Sequence, residues 1–105
     1  MTEDSYFIVP ETNIGAYYTW GCTPRLVRMV GASKAMEIIM TCAPISSQEA
    51  YRLNLANKVV PKGALMDATH EFVAKMSSKS PTCIRITKKL ASGASLKGFG
   101  NMFIC

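Results

Sequence analysis

Glu11 is the side chain best suited to chemistry. It follows Pro10 in an apolar and aromatic stretch, with Phe7, Ile8 and Val9 before it and Tyr17, Tyr18 and Trp20 after it. Desolvation disfavours the charged form of a carboxyl, so one held in such surroundings can be tuned for proton transfer. On chemistry alone, a glutamate in a proline-containing loop reads more simply as a solvated turn residue. Cys22 precedes an expected helix start, where a thiol can be activated, although a small packing role fits it better. The three rings of Tyr17, Tyr18 and Trp20 either line a pocket or simply pack. His70, between Thr69 and Glu71, reads as solvent-facing. It is the only histidine, and Cys22, Cys42, Cys83 and Cys105 show no C-x-x-C spacing, so no metal site is expected.

The elements that must position these groups are mostly helices. Tyr6, Phe7, Ile8 and Val9 form a short β-type run stopped by Pro10. Residues 11–14 read as a loop and 15–23 as an aromatic turn punctuated by Gly15 and Gly21. Pro24 suits the first turn of a helix that Gly31 would end. Ser33 is placed to cap a second helix over 34–41, and Ser46-Ser47-Gln48-Glu49 has the capping-box pattern for a short third one ending at Leu53 or Asn54. Lys58, Val59 and Val60 suggest a brief strand before Pro61.

The longest helix is expected over 63–78, with Leu65, Phe72, Val73 and Met76 on one stripe and Glu71 and Lys75 as an exposed pair. Ser80-Pro81 breaks the chain before a last helix over 82–91. Its apolar side uses Ile84, Thr87, Leu90 and Ala91, with Arg85, Lys88 and Lys89 turned to solvent. Residues 92–105 are less regular, and Phe99, Met102, Phe103 and Ile104 require burial. The expectation is one domain over 1–105, mainly α with one or two short strands.

Composition bounds the function. At 105 residues, 49% apolar and 18% charged, the chain is globular and can bury a modest core. The net charge of +5 comes from scattered cations rather than a basic run, which weighs against a nucleic-acid tail. A mildly basic field favours an anionic ligand, RNA or an acidic protein without choosing among them. The acidic start, with Glu3 and Asp4, argues against a leader peptide, and no apolar run approaches a membrane span. Four unpaired cysteines in such a chain point to reduced thiols and a cytoplasmic setting.

One order of motifs is specific. Pro10-Glu11, Gly15, Gly21, Thr23, Arg25-Leu26, Arg28 and Gly31 are followed by Ala35-Met36-Glu37, Thr41, Ile45-Ser46, Glu49-Ala50, Leu55, Asn57, Val59-Val60-Pro61 and Leu65. This order resembles the crotonase (enoyl-CoA hydratase/isomerase) family. It matches the second half of that family's active site and the helical part beyond it, over about residues 6–91. The resemblance implies the C-terminal helical part of a crotonase-like fold, lacking most of the βαβ stack. It further implies acyl-CoA thioester chemistry with no cofactor, the coenzyme A thioester being substrate.

By resemblance, Glu11 is one of two carboxylates that handle the water and the Cα proton of a 2-enoyl-CoA. Gly15, Tyr17, Tyr18, Trp20 and Gly21 line the acyl pocket, with Tyr18 and Thr19 departing from the family's small residues. The second carboxylate and both oxyanion-hole donors come, in the family, from segments ahead of these. Each such loss costs about 10²–10⁴ in rate. The expected function is therefore a family fragment, non-catalytic alone and homo-oligomeric, because the family's C-terminal helices build trimers. The alternatives are an active hydratase/isomerase completed by a partner chain, or a helical interaction or nucleic-acid-binding module.

Overall fold

The structure, a computed structural model, describes residues 1–17 and 21–96. The chain divides into two compact units, Met1–Leu65 and Met66–Cys105.

In the first unit, β1 (Tyr6–Phe7) pairs antiparallel with β2 (Ile45–Ser46), Tyr6 opposite Ser46 and Phe7 opposite Ile45. A single 3-10 turn (Glu11–Ile14) follows β1, and then α1 (Cys22–Val30), α2 (Ala32–Thr41) and, after β2, α3 (Ser47–Arg52). The core is small: Val9, Ile38, Ile45 and Ala50 are buried together, with Leu26, Val30, Ile39, Leu53 and Leu55 packed around them. Val60 joins through the N-terminus. It makes a parallel bridge with Thr2, the Glu3 amide donates to its carbonyl at 2.9 Å, and its own amide donates to the Met1 carbonyl at 3.1 Å. Lys58, Val59 and Val60 thus supply this bridge rather than a strand.

Two helix ends differ from the sequence expectation, each for a local reason. Gly31 ends α1, its amide donating to the Val27 carbonyl at 2.8 Å, and at the same time caps α2, so Ser33 lies inside the first turn and caps nothing. Its φ of 84° is a conformation that favours glycine. At α3 the Ser46 hydroxyl accepts from the Glu49 amide at 3.2 Å, as the capping box requires. Glu49 does not reach back, however. Its carboxylate takes the Arg52 Nε at 2.7 Å, a charge-assisted bond that outcompetes a neutral amide. The box is half formed.

In the second unit lie most of α4 (Leu65–Ser77) and all of α5 (Pro81–Leu96). Both form where periodicity put them, but α4 starts two residues later and ends one earlier than expected, while α5 starts one residue earlier and runs further, so α5 rather than α4 is the longest helix among the described residues. None of the described residues of α4 is buried. Phe72, Val73, Met76, Ile84 and Leu90 keep to the expected stripes and remain exposed. The burial expected of Phe99, Met102, Phe103 and Ile104 lies outside the described residues. Among the described residues, no helix is long and apolar enough to cross a membrane.

Candidate active site

The carboxylate of Glu11 is held by a turn with little freedom. Pro10 precedes the 3-10 turn, and the Asn13 amide donates to its carbonyl at 3.0 Å. Behind Glu11, the Gly15 amide reaches the Thr12 carbonyl at 3.2 Å and the Ala16 amide reaches the Glu11 carbonyl at 2.9 Å. Gly15 closes the turn at φ 73°, ψ 18°, the left-handed region where a side chain is disfavoured. A Cβ there would meet nothing within 4 Å, so the glycine serves the backbone rather than making room. The Thr12 hydroxyl then ties the turn to α2, donating to the Ile39 carbonyl at 2.8 Å.

On this turn Glu11 is half-buried. Among the described residues its Oε2 is shielded from solvent and accepts no hydrogen bond. A buried carboxylate oxygen without a donor is unfavourable, and such orphans call for an explanation in strain, a bound group or function.

The remaining candidates fall as follows. Gly21 sits at the N-terminus of α1 with φ 72°, and Tyr17 is 84% exposed. Tyr18 and Trp20 lie outside the described residues. Cys22 is half-buried in the first turn of α1 and lines a groove of about 340 Å³ between the β1 segment and that helix. Phe7, Ile8, Arg25, Leu26 and Met29 also line this groove, and Glu11 stands outside the lining. Arg25, Arg28, His70, Lys88 and Lys89 are all exposed. Among the described residues no three metal-ligating side chains come together.

Two residues that position this region were not singled out from the sequence. Thr12 anchors the turn that carries Glu11. Ser47 is fully buried, and its hydroxyl donates to the Glu3 carbonyl at 2.9 Å, fixing the N-terminal segment over α3. A hydroxyl next to the Pro-Glu pair was the available signal for the first. For the second, the serine beside the capping residue was read only as part of the box.

Comparison with known proteins places this arrangement. The family profile for Enoyl-CoA hydratase/isomerase matches residues 1–97, and the chain belongs to that family. It is 34% identical over 88 residues to the short-chain-enoyl-CoA hydratase of Clostridium acetobutylicum, covering 84% of this chain and 34% of that protein. It is likewise 34% identical over 92 residues to the mitochondrial enoyl-CoA hydratase of Pongo abelii, covering 88% of this chain and 32% of that one. Among solved structures, an enoyl-CoA hydratase from Geobacillus kaustophilus superposes with a TM-score of 0.84 at 30% identity, over 90% of this chain and 37% of its own. A Thermobifida fusca protein solved in complex with CoA gives 0.82 at 29% identity, over 89% and 36%. The chain spans about a third of the length of these two curated relatives. Mainly helical with a two-stranded sheet, it has the fold of the corresponding part of a crotonase.

Proposed function

We propose that this chain carries one carboxylate arm of an acyl-CoA thioester site, with Glu11 as the proton-handling group. By themselves these 105 residues turn over no substrate and self-associate. The observation that carries the reading is the shielded Oε2 of Glu11, without a hydrogen-bond partner among the described residues, on a turn tied to α2 by Thr12. In a hydration, such an oxygen would hold the attacking water or exchange a proton with Cα. A second carboxylate would share that task, and two N–H donors would take the charge that develops on the thioester oxygen. The resemblance assigns those partners to segments ahead of the one matched here. Gly15, Tyr17, Tyr18, Trp20 and Gly21 would form the adjoining wall of the acyl pocket. The thioester is substrate, and no cofactor enters. Free thiols at Cys22, Cys42 and Cys83 support a reducing, cytoplasmic setting.

Self-association is supported by the bare apolar stripes of α4 and α5, because symmetric closure is the simplest cover for such a face. Light scattering during size exclusion should give a discrete oligomer, and a clean monomer would defeat this part. For the site, the chain is offered a short 2-enoyl-CoA. The expected result is no hydration above background, with weak CoA-thioester binding by calorimetry that Glu11→Gln alters. Hydration that survives Glu11→Gln would remove Glu11 from the chemistry. The alternative, an active hydratase/isomerase completed by a partner chain, is favoured by the open groove beside β1.

A further inference from the structure

The backbone bonds of the turn that carries Glu11 stay within it. The Asn13, Gly15 and Ala16 amides use the carbonyls of Pro10, Thr12 and Glu11, which shapes the turn and leaves its placement open. Val9, ahead of it, is buried in the core, whereas Ala16 and Tyr17 beyond it are exposed and resist no movement. Of the four side chains of the turn, only Thr12 is hydrogen-bonded to another element among the described residues, its hydroxyl donating to the Ile39 carbonyl of α2 at 2.8 Å.

That acceptor is available because of how α2 ends. The last carbonyls of a helix lack donors of their own. Cys42 leaves α2 in the left-handed region at φ 52°, and the Ala43 amide turns to the Thr41 hydroxyl at 3.3 Å. The Cys42 thiol shares the Ile39 carbonyl at 3.6 Å, a weak second donor beside the Thr12 hydroxyl. Threonine suits the task, because its branched Cβ restricts the rotation of the hydroxyl it aims. The tether also works against a pull. Oε2 of Glu11 is shielded and without a donor, and water would solvate it if the carboxylate swung outward.

We propose that Thr12 is a positioning residue for Glu11: its hydroxyl, taken by the carbonyl that the left-handed cap at Cys42 leaves open, keeps the Glu11 carboxylate in its shielded place and out of water. This rests on the reading of Glu11 as the proton-handling group, whose oxygen must stay where a substrate would meet it.

The test reads the carboxylates of the full chain by carbodiimide-driven amidation under native conditions, followed by mass spectrometry. In the parent protein Glu11 should label more slowly than Glu37, whose side chain is 60% exposed. Thr12→Val removes the hydroxyl and keeps the shape. Glu11 labelling should then rise about two- to tenfold, the population shift that one lost hydrogen bond gives, while Glu37 and Glu49 keep their rates. Thr12→Ser should restore the slow rate. The carboxyl-carbon resonance of Glu11 should move in Thr12→Val and return in Thr12→Ser. Thr12 is exposed, so these variants should stay folded, and Thr12→Ala, with no methyl in the hydroxyl's place, should repeat Thr12→Val. Unchanged Glu11 labelling in Thr12→Val would overturn the proposal. So would a rise shared by Glu49, which signals loosening of the whole unit, or a failure of Thr12→Ser to restore the rate. Labelling as expected, with thioester binding that Glu11→Gln leaves untouched, supports the positioning and removes the proton-handling role.

Discussion

The two units are built from similar material and reach opposite ends. In Met1–Leu65, short elements are tied by contacts between residues far apart in sequence, and Ala35, Ile38, Cys42, Ile45, Ser47 and Ala50 are buried. From Met66 on, two regular amphipathic helices bury none of their described residues, Ala68 alone being even half-covered. The difference lies in partners rather than composition. An apolar stripe stabilises a fold only when another layer removes it from water. The first unit finds that layer within itself, whereas the stripes of α4 and α5 stay exposed among the described residues.

Core truncation should break the comparison most visibly. Ile38→Ala, at a position 4% exposed, should cost about 2–5 kcal/mol, a large share of the stability of so small a core. Phe72→Ala, at 55% exposure, should change the stability of the monomer by less than about 0.5 kcal/mol while weakening self-association. Urea unfolding at low concentration, paired with light scattering, separates the two effects. Equal destabilisation by both would mean that α4 has a cover the contrast denies it. Ser47→Ala comes next. Losing a fully buried hydroxyl bonded to the Glu3 carbonyl should cost about 1–3 kcal/mol and speed exchange at the Glu3 and Val60 amides first.

A smaller effect tests the turn that holds the carboxylate. Gly15→Ala meets no steric contact, so its cost should be the conformational one alone, about 1–2 kcal/mol for an L-residue in the left-handed region. The structural change should stay local to Glu11 and Thr12, as amide chemical shifts would show.

How much of this could be read in the residues follows from the same contrast. The helices were legible because Leu65, Phe72, Val73 and Met76 repeat at helical spacing, and the turn because Pro10-Glu11 and Gly15 punctuate it. Periodicity names the face of a helix that wants cover and says nothing of whether cover exists, so the exposure of α4 could not be foreseen. β2 escaped because Ile45 and the capping Ser46, two residues directly after Pro44, carry no alternation. Thr12 escaped because its acceptor, Ile39, is 27 positions along the chain. Glu49 satisfied the capping-box pattern and was drawn off by Arg52, a competition between a charged and a neutral donor that the pattern does not encode.

The smallest effect concerns acid, and it too belongs to the first unit. The Thr2 hydroxyl first, and then Lys62 at 3.0 Å, hold the Asp4 carboxyl below its ordinary value of 3.8. Hydrogen bonding from Arg52 holds Glu49 below 4.5. Carboxyls depressed in the folded state contribute stability that is present above their unfolded values and fades as pH falls through their folded ones. The loss should therefore begin at about pH 4 and continue below it. Asp4 is exposed and Glu49 partly so, so the change should be slight. The causes make it testable by carboxyl-carbon titration. Thr2→Val and Lys62→Met should each raise the Asp4 midpoint, because each removes a side-chain hydrogen bond to the ionised carboxyl, and Lys62 adds its charge. If Lys62→Met moves it more, the N-terminal clasp is held by charge, and added salt should then loosen the Thr2–Val60 bridge before anything else in the first unit.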